Sequence, residues 1–226
     1  MSIYGGAKKD LFTTKGNGIL TTIEKTFSLF ESIHVSSSAE VIFHQSEEYR
    51  IVITVDENLL PYLKLVVNDL NELFIGTKNG SYNFTLYKVD VFAPLLEAVQ
   101  LSGAGSLESK EIFYYPDLKI NISGAGKATL TIDCSHLLVN ITGAGKVTLI
   151  GKSERASIYI SGAGKMISNE FEFVLVDLTI SGAGYADIGP SEFLSGNVTG
   201  AGTLKYWGNP QLKLNMKGSS RLLKEY

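Results

Sequence analysis

The most regular chemical pattern in the sequence is a set of three lysines. Lys127, Lys146 and Lys165 each follow a Gly-Ala-Gly directly, 19 residues apart. If the chain coils with that period, their ammonium groups stand one above another along one edge. Such a ladder suits an anionic polymer, such as an acidic glycan or a phosphate-bearing envelope polymer. Backbone N–H groups at the neighbouring glycines would assist, because successive amides form anion-binding nests. The plainer alternative is three solvated turn lysines whose repulsion is screened by water and salt. A second set is aromatic: Phe113, Tyr114, Tyr115, Tyr159, Phe171, Phe173, Tyr185, Tyr206 and Trp207. Ring faces stack on sugars, although Phe also fills cores and Tyr also caps strand edges.

Catalytic patterns are weak by comparison. Hydrolysis or elimination on a polysaccharide needs carboxylates, or carboxylates with basic groups, converging on one face. The acids Asp117, Asp133, Glu154, Glu170, Glu172, Asp177, Asp187 and Glu192 are scattered. A coil of about 20 residues brings Asp133 near Glu154, and Glu170 or Glu172 near Glu192, but no spacing singles out a pair. His34, His44 and His136 are isolated and lack metal-ligand spacing. No Gly-x-Ser-x-Gly elbow occurs, and Gly-Ala-Gly lacks the Gly-Lys-Ser/Thr ending of a phosphate loop. No cofactor is expected. Cys134 is the only cysteine, which excludes an intramolecular disulfide; within Leu130-Thr131-Ile132-Asp133-Cys134 it reads as a small strand or core residue.

The elements that must position these residues follow from internal repetition. Six Ser/Thr-Gly-Ala-Gly copies place their first glycine at 103, 124, 143, 162, 182 and 200, with spacings of 21, 19, 19, 20 and 18. Ahead of each corner, apolar residues alternate with polar ones, as in Ile120-Asn121-Ile122 and Val139-Asn140-Ile141. A period of two with β-branched side chains favours strand over helix. Each unit therefore reads strand, glycine corner, strand and variable return, with the units stacked as a parallel β-solenoid. Leu101, Ile122, Ile141, Ile160, Ile180 and Val198 are expected in one interior column. Stacking also predicts a hydroxyl column (Ser102, Ser123, Thr142, Ser161, Ser181, Thr199) and an amide column (Gln100, Asn121, Asn140, Asn197).

One domain is expected. Residues 1–17 read as a flexible tail, 18–98 as irregular β coils, and 99–226 as the regular solenoid continuous with them. Ser36 to Ala39 and Asn79-Gly80-Ser81 look like early corners, Asp56 to Tyr62 like a helical turn, and Lys217-Gly218-Ser219-Ser220 like a final half-copy. The formal net charge of −3 leaves no basic nucleic-acid footprint. No apolar run reaches the roughly 18 residues of a transmembrane helix. Met1 to Asp10 lacks the apolar middle of a signal peptide. Either the protein stays in the cytoplasm, or its export signal is not in this chain.

Phe30-Glu31-Ser32-Ile33-His34-Val35, Val55-Asp56-Glu57-Asn58-Leu59-Leu60-Pro61-Tyr62, the serial Ser-Gly-Ala-Gly copies and Gly208-Asn209-Pro210 occur in that order. Over roughly residues 17–222 the sequence thereby resembles the bacterial putative auto-transporter adhesins with a head GIN domain. The resemblance implies a right-handed, single-stranded parallel β-helix and export to the periplasm or cell surface. It brings no catalytic residues. The chain departs from the family pattern in showing no export signal and in having Ser36-Ser37-Ser38 where a glycine corner is common. The resemblance and the residues together predict a non-catalytic adhesion or glycan-binding module. The alternative is a carbohydrate-active β-helix enzyme. A carboxylate cluster within a groove would favour the enzyme; a smooth, acid-poor lateral face would favour the binder.

Overall fold

The computed structural model describes residues 13–226. Alternating apolar residues drive the chain into extended segments that bury one face, and the glycine corners fold these into a β-solenoid of about 7 turns with ~19 residues per turn. One parallel ladder precedes the corners. It runs from Ser32–Val35 through Ala98–Leu101 and Asp117–Ile122, then through the later parts of Lys127–Ile141, Lys146–Gly162 and Lys165–Gly182, to Ser191–Gly200 and Gln211–Met216. A second follows the corners, from Glu40–Gln45 to Arg221–Glu225. A shorter third side pairs Phe113 and Tyr114 with Ile132 and Asp133, and these with Gly151 and Lys152.

The expected interior column is present. Leu101, Ile122, Ile141, Ile160, Ile180 and Val198 are in register and fully buried. Asn140 Nδ2 donates to Asn121 Oδ1 at 2.9 Å, and Asn215 extends the amide column by donating to Asn197 at 3.2 Å. In the hydroxyl column, Thr142 and Thr199 donate to the carbonyls of Ile122 and Ile180, not to one another. The corners are not alike in backbone conformation. Positive φ occurs at Gly162 (95°), Gly182 (105°) and Gly200 (78°), but not at Gly103, Gly124 or Gly143. Close stacking is what all of them share: a Cβ on Gly124 would lie 2.5 Å from Gly103 O, and one on Gly200 2.7 Å from Gly182 O. The alanine between the glycines faces solvent, so the crowding lies at the glycines alone.

Early coils exist but stack out of sequence order. The Ser36–Ala39 corner lies directly beneath that of Ser102–Gly105, with Ser102 N donating to Val35 O and Ser106 N to Ala39 O. The later strands Glu72–Thr77 and Tyr87–Ala93 pair with Ser32–Val35 and Glu40–Gln45, below them in the stack. Arg50–Asp56 lies antiparallel between Tyr87–Ala93 and Leu20–Thr26, and Leu63–Val67 antiparallel to Glu72–Thr77. Asn79-Gly80-Ser81 therefore belongs to an excursion, not to the corner stack. Alternation specifies which side chains point inward, and it is silent on whether a coil joins the top or the bottom. The expected helical turn is a single 3₁₀ turn, Leu60–Tyr62.

The expected tail falls mostly on residues 1–12, outside the described residues. Residues 13–17 are attached: Thr13–Lys15 pairs with Ser81–Asn83, and Asn58 Nδ2 donates to Lys15 O at 2.8 Å. Buried Asp56 holds this region. Its carboxylate accepts from the N–H groups of Gly18 (2.9 Å) and Thr85 (2.8 Å). Burial alone would raise the Asp56 pKa, but hydrogen bonds from Gly18, Thr85 and Leu86 outweigh it and hold the group below its ordinary 3.8. A depressed carboxylate stabilises the fold above its unfolded pKa and loses that contribution as pH falls through the folded value. Asp56→Asn should therefore melt below the parent at neutral pH. The gap should narrow as pH drops below about 3.8. Melting curves across that range check it; a gap independent of pH would assign the effect to packing instead.

Candidate functional site

Two lateral features have the geometry of binding sites. The first is the expected lysine ladder. Lys127 pairs in register with Lys146, and Lys146 with Lys165; all three are exposed. Ser106 and Glu40 continue the column below, and Tyr185 above. Among the described residues, none of the three lysines is in an ion pair. The expected amide nest is narrower than the whole corner. Ala144 N and Lys146 N donate to Gly124 O and Gly126 O of the coil below, and Ala163 N and Lys165 N to Gly143 O and Gly145 O. Those alanine and lysine N–H groups are engaged in stacking and are not open to an anion.

The second feature is a groove of about 620 Å³ on the third side. Tyr114, Asp133, Lys152 and Glu172 form one outward column in strict register. Glu154, Val174 and Glu192 stand beside it along the same groove. The Tyr114 ring is 58% exposed, whereas Phe113, Phe171 and Phe173 point into the core. Lys152 Nζ lies 3.3 Å from Asp133 Oδ2. Next to Tyr114, the Tyr115 hydroxyl donates to Glu97 at 2.6 Å, and that bond, aided by burial and nearby carboxylates, pushes the phenol pKa up to about 12. Tyr115 also lines a second groove of about 580 Å³ with Asp117, His136 and Arg155. Tyr115 thus borders both grooves. Its coil has a corner spacing of 21 and not 19; the pairing offset to the next coil falls from 21 at Glu108 to 19 at Phe113, so the two additional residues lie in the turn just ahead of Phe113 and Tyr114.

The groove brings together acids that the sequence could only suggest: Asp133 with Glu154, and Glu172 with Glu192. General-acid chemistry needs a carboxyl shielded from water. Glu154, Glu172 and Glu192 are exposed, and Asp133 faces Lys152. Among the described residues, no three His, Cys, Asp or Glu side chains are grouped to hold a metal. Each histidine has a local partner. His34 Nε2 is 2.8 Å from Ser102 Oγ, His44 Nε2 is 3.0 Å from Asp90 while its ring stacks on Phe92, and His136 Nδ1 is 2.9 Å from Asp117. Cys134 is buried beneath the groove, and burial, with Asp133 and Asp117 nearby, pushes its thiol pKa up. Such a thiol is a poor nucleophile at neutral pH.

A polar network on the second ladder was not anticipated. Asp187 points outward yet is covered: it accepts from Trp207 Nε1 at 2.8 Å and lies 3.7 Å from Lys205 Nζ, which also reaches Glu225 at 3.2 Å. Trp207 is thereby engaged with its own coil neighbours, which ties the last three turns together. The signal was available, since Asp187, Lys205 and Leu223 fall at successive spacings of 18.

No curated protein matches the chain. Solved structures do. A putative adhesin from Bacteroides fragilis superposes with a TM-score of 0.87 at 22% identity, covering 93% of this chain and 99% of that one. One from Parabacteroides merdae gives 0.75 at 25%, covering 95% and 99%. A protein from Parabacteroides distasonis described as a putative lipid binding protein gives 0.76 at 23%, covering 95% and 100%. Relatives of similar likeness are thus described by different roles, so the shared fold by itself carries no ligand. The family model described as putative auto-transporter adhesin, head GIN domain, matches residues 29–210. With its early motif, its serial corners and its solenoid all accounted for, the chain belongs to that family of putative adhesins.

Proposed function

We propose that the chain is a non-catalytic adhesion module, exported to the periplasm or cell surface, that holds a glycan along its third side. The observation that carries this reading is the exposed Tyr114 ring heading the column Asp133, Lys152 and Glu172. A flat aromatic face takes the apolar face of a sugar, while carboxylates and an ammonium group take its hydroxyls. Rows separated by the inter-strand spacing of about 4.8 Å suit an extended polymer whose residues repeat at a similar length. The family description agrees with adhesion, and membership supports export.

A second reading is favoured by the register of Lys127, Lys146 and Lys165. That edge would hold an acidic glycan by charge alone, and only at low salt. One glycan-array experiment separates the two. Tyr114→Ala should weaken binding to neutral glycans roughly 2–10-fold, the loss of one stacking contact worth about 0.5–1.5 kcal/mol. Replacing the three lysines with Gln should affect acidic glycans alone, and only at low salt. Unchanged binding in both variants would remove both sites. Polysaccharide shortening abolished by Glu154→Gln, Glu172→Gln or Glu192→Gln would establish the enzyme reading instead.

A further inference from the structure

We propose that the C-terminal end of the solenoid is an interface, and that it receives the opposite end of a second copy of this chain. The last coil is built on the same pattern as those before it. Leu212 and Leu222 are in register with Leu194 and Leu204, which are fully buried. Yet Leu212 is 43% exposed and Leu222 41%, because no coil lies above them. Among the described residues, the strands Gln211–Met216 and Arg221–Glu225 each pair on one side only, leaving backbone donors and acceptors open beside an apolar surface. An occupant that completes this end must supply strands as well as apolar side chains.

The far end of the same molecule supplies both. Among the described residues, Leu20–Thr26 and Leu63–Val67 also pair on one side only. Leu20 and Val66 there are exposed at 46% and 43%. Charge decides the orientation. The last coil carries Lys213, Lys217, Arg221 and Lys224 against Glu225, whereas residues 19–26 and 57–72 carry Glu24, Glu57, Asp69 and Glu72 against Lys25 and Lys64. Two C-terminal ends would oppose cation to cation; head to tail, the signs are complementary. Such a contact is heterologous, so it extends the solenoid from copy to copy and does not close on a dimer. Lysines on an edge strand also discourage pairing in many proteins, and the experiment distinguishes that role.

Sedimentation velocity on the intact chain, over a wide concentration range and at low and moderate salt, tests the proposal. The parent should form species that grow past the dimer with concentration and dissociate as salt rises. Leu212→Lys with Leu222→Lys should weaken association about tenfold or more. Circular dichroism reports whether this variant folds. Lys213→Glu with Arg221→Glu, at exposed outward positions, gives the same readout without touching the apolar end. A parent that stays monomeric throughout overturns the proposal and assigns the lysines to edge protection. Assembly that stops at a dimer overturns it in favour of a tail-to-tail contact. Assembly unchanged in both variants overturns it by placing the contact elsewhere.

Discussion

Ile160→Ala should destabilise the chain by about 4–5 kcal/mol, at the upper end of what a buried aliphatic truncation costs. Ile160 is fully buried between Ile141 and Ile180 in the interior column. The size of the effect depends on how far the surroundings collapse into the space. Here they cannot, because the wall is backbone. A Cβ built on Gly184 would stand 2.6 Å from Ile160 Cγ2, so the corner of the next coil rests directly on this side chain. Glycine has no side chain to swing into the vacancy. Urea unfolding should show a lower midpoint with an unchanged slope. Tyr159→Thr, one residue away and outward-facing, serves as the control and should change little. A loss below about 1 kcal/mol for Ile160→Ala would mean that the corners relax and the column is not tightly packed.

Gly143→Val should rival that loss, and Lys146→Ala should cost almost nothing. A Cβ at Gly143 would collide with the carbonyl oxygen of Gly124 in the coil below. Backbone φ is not the cause, since Gly143 has no positive φ. The neighbouring Ala144 N–H donates to that same carbonyl at 3.1 Å, so moving the oxygen away breaks a stacking bond. Overpacking against a side chain costs about 1–3 kcal/mol; against a hydrogen-bonded backbone the cost should reach or exceed the top of that range. Lys146 is exposed and, among the described residues, in no ion pair, and removing it relieves a little repulsion with Lys127 and Lys165. Thermal melts of the two variants decide the matter. Equal melting temperatures would show that the corners have room.

The regular half of the fold was legible because its information is local and repeated. A 19-residue interval places Lys127, Lys146 and Lys165 in register, and a period of two points Ile122, Ile141 and Ile160 inward. The N-terminal coils were legible as strands but not in their order. Nothing in Ile33-His34-Val35 or Leu73-Phe74-Ile75 states which lies lower, and the buried Asp56 contacts that fix it span 29 to 38 residues. The groove was half legible. The same interval that aligns the lysines also aligns Asp133 with Lys152, but placing Tyr114 below them required knowing where a 21-residue coil accommodates its excess. That the alanine and lysine amides of the corners are taken up in stacking was not legible at all, since donors and acceptors of stacked coils meet only in three dimensions.

Departures from the 19-residue interval fall where the first and second ladders do not feel them. Ser102, Ser123 and Thr142 keep their stacking bonds to the coil below although the intervals between them differ. The turn leading from the second ladder into the third side takes up the difference, as between Glu108 and Phe113 and between Thr148 and Ile150. Each coil contacts chiefly its neighbours above and below, so residues can be inserted or removed there without shifting the register of any other turn. The two ladders then act as a fixed ruler, and the third side as a margin on which text can be rewritten. Ligand preference in such a molecule can drift through the length of one loop while the core that carries it stays the same.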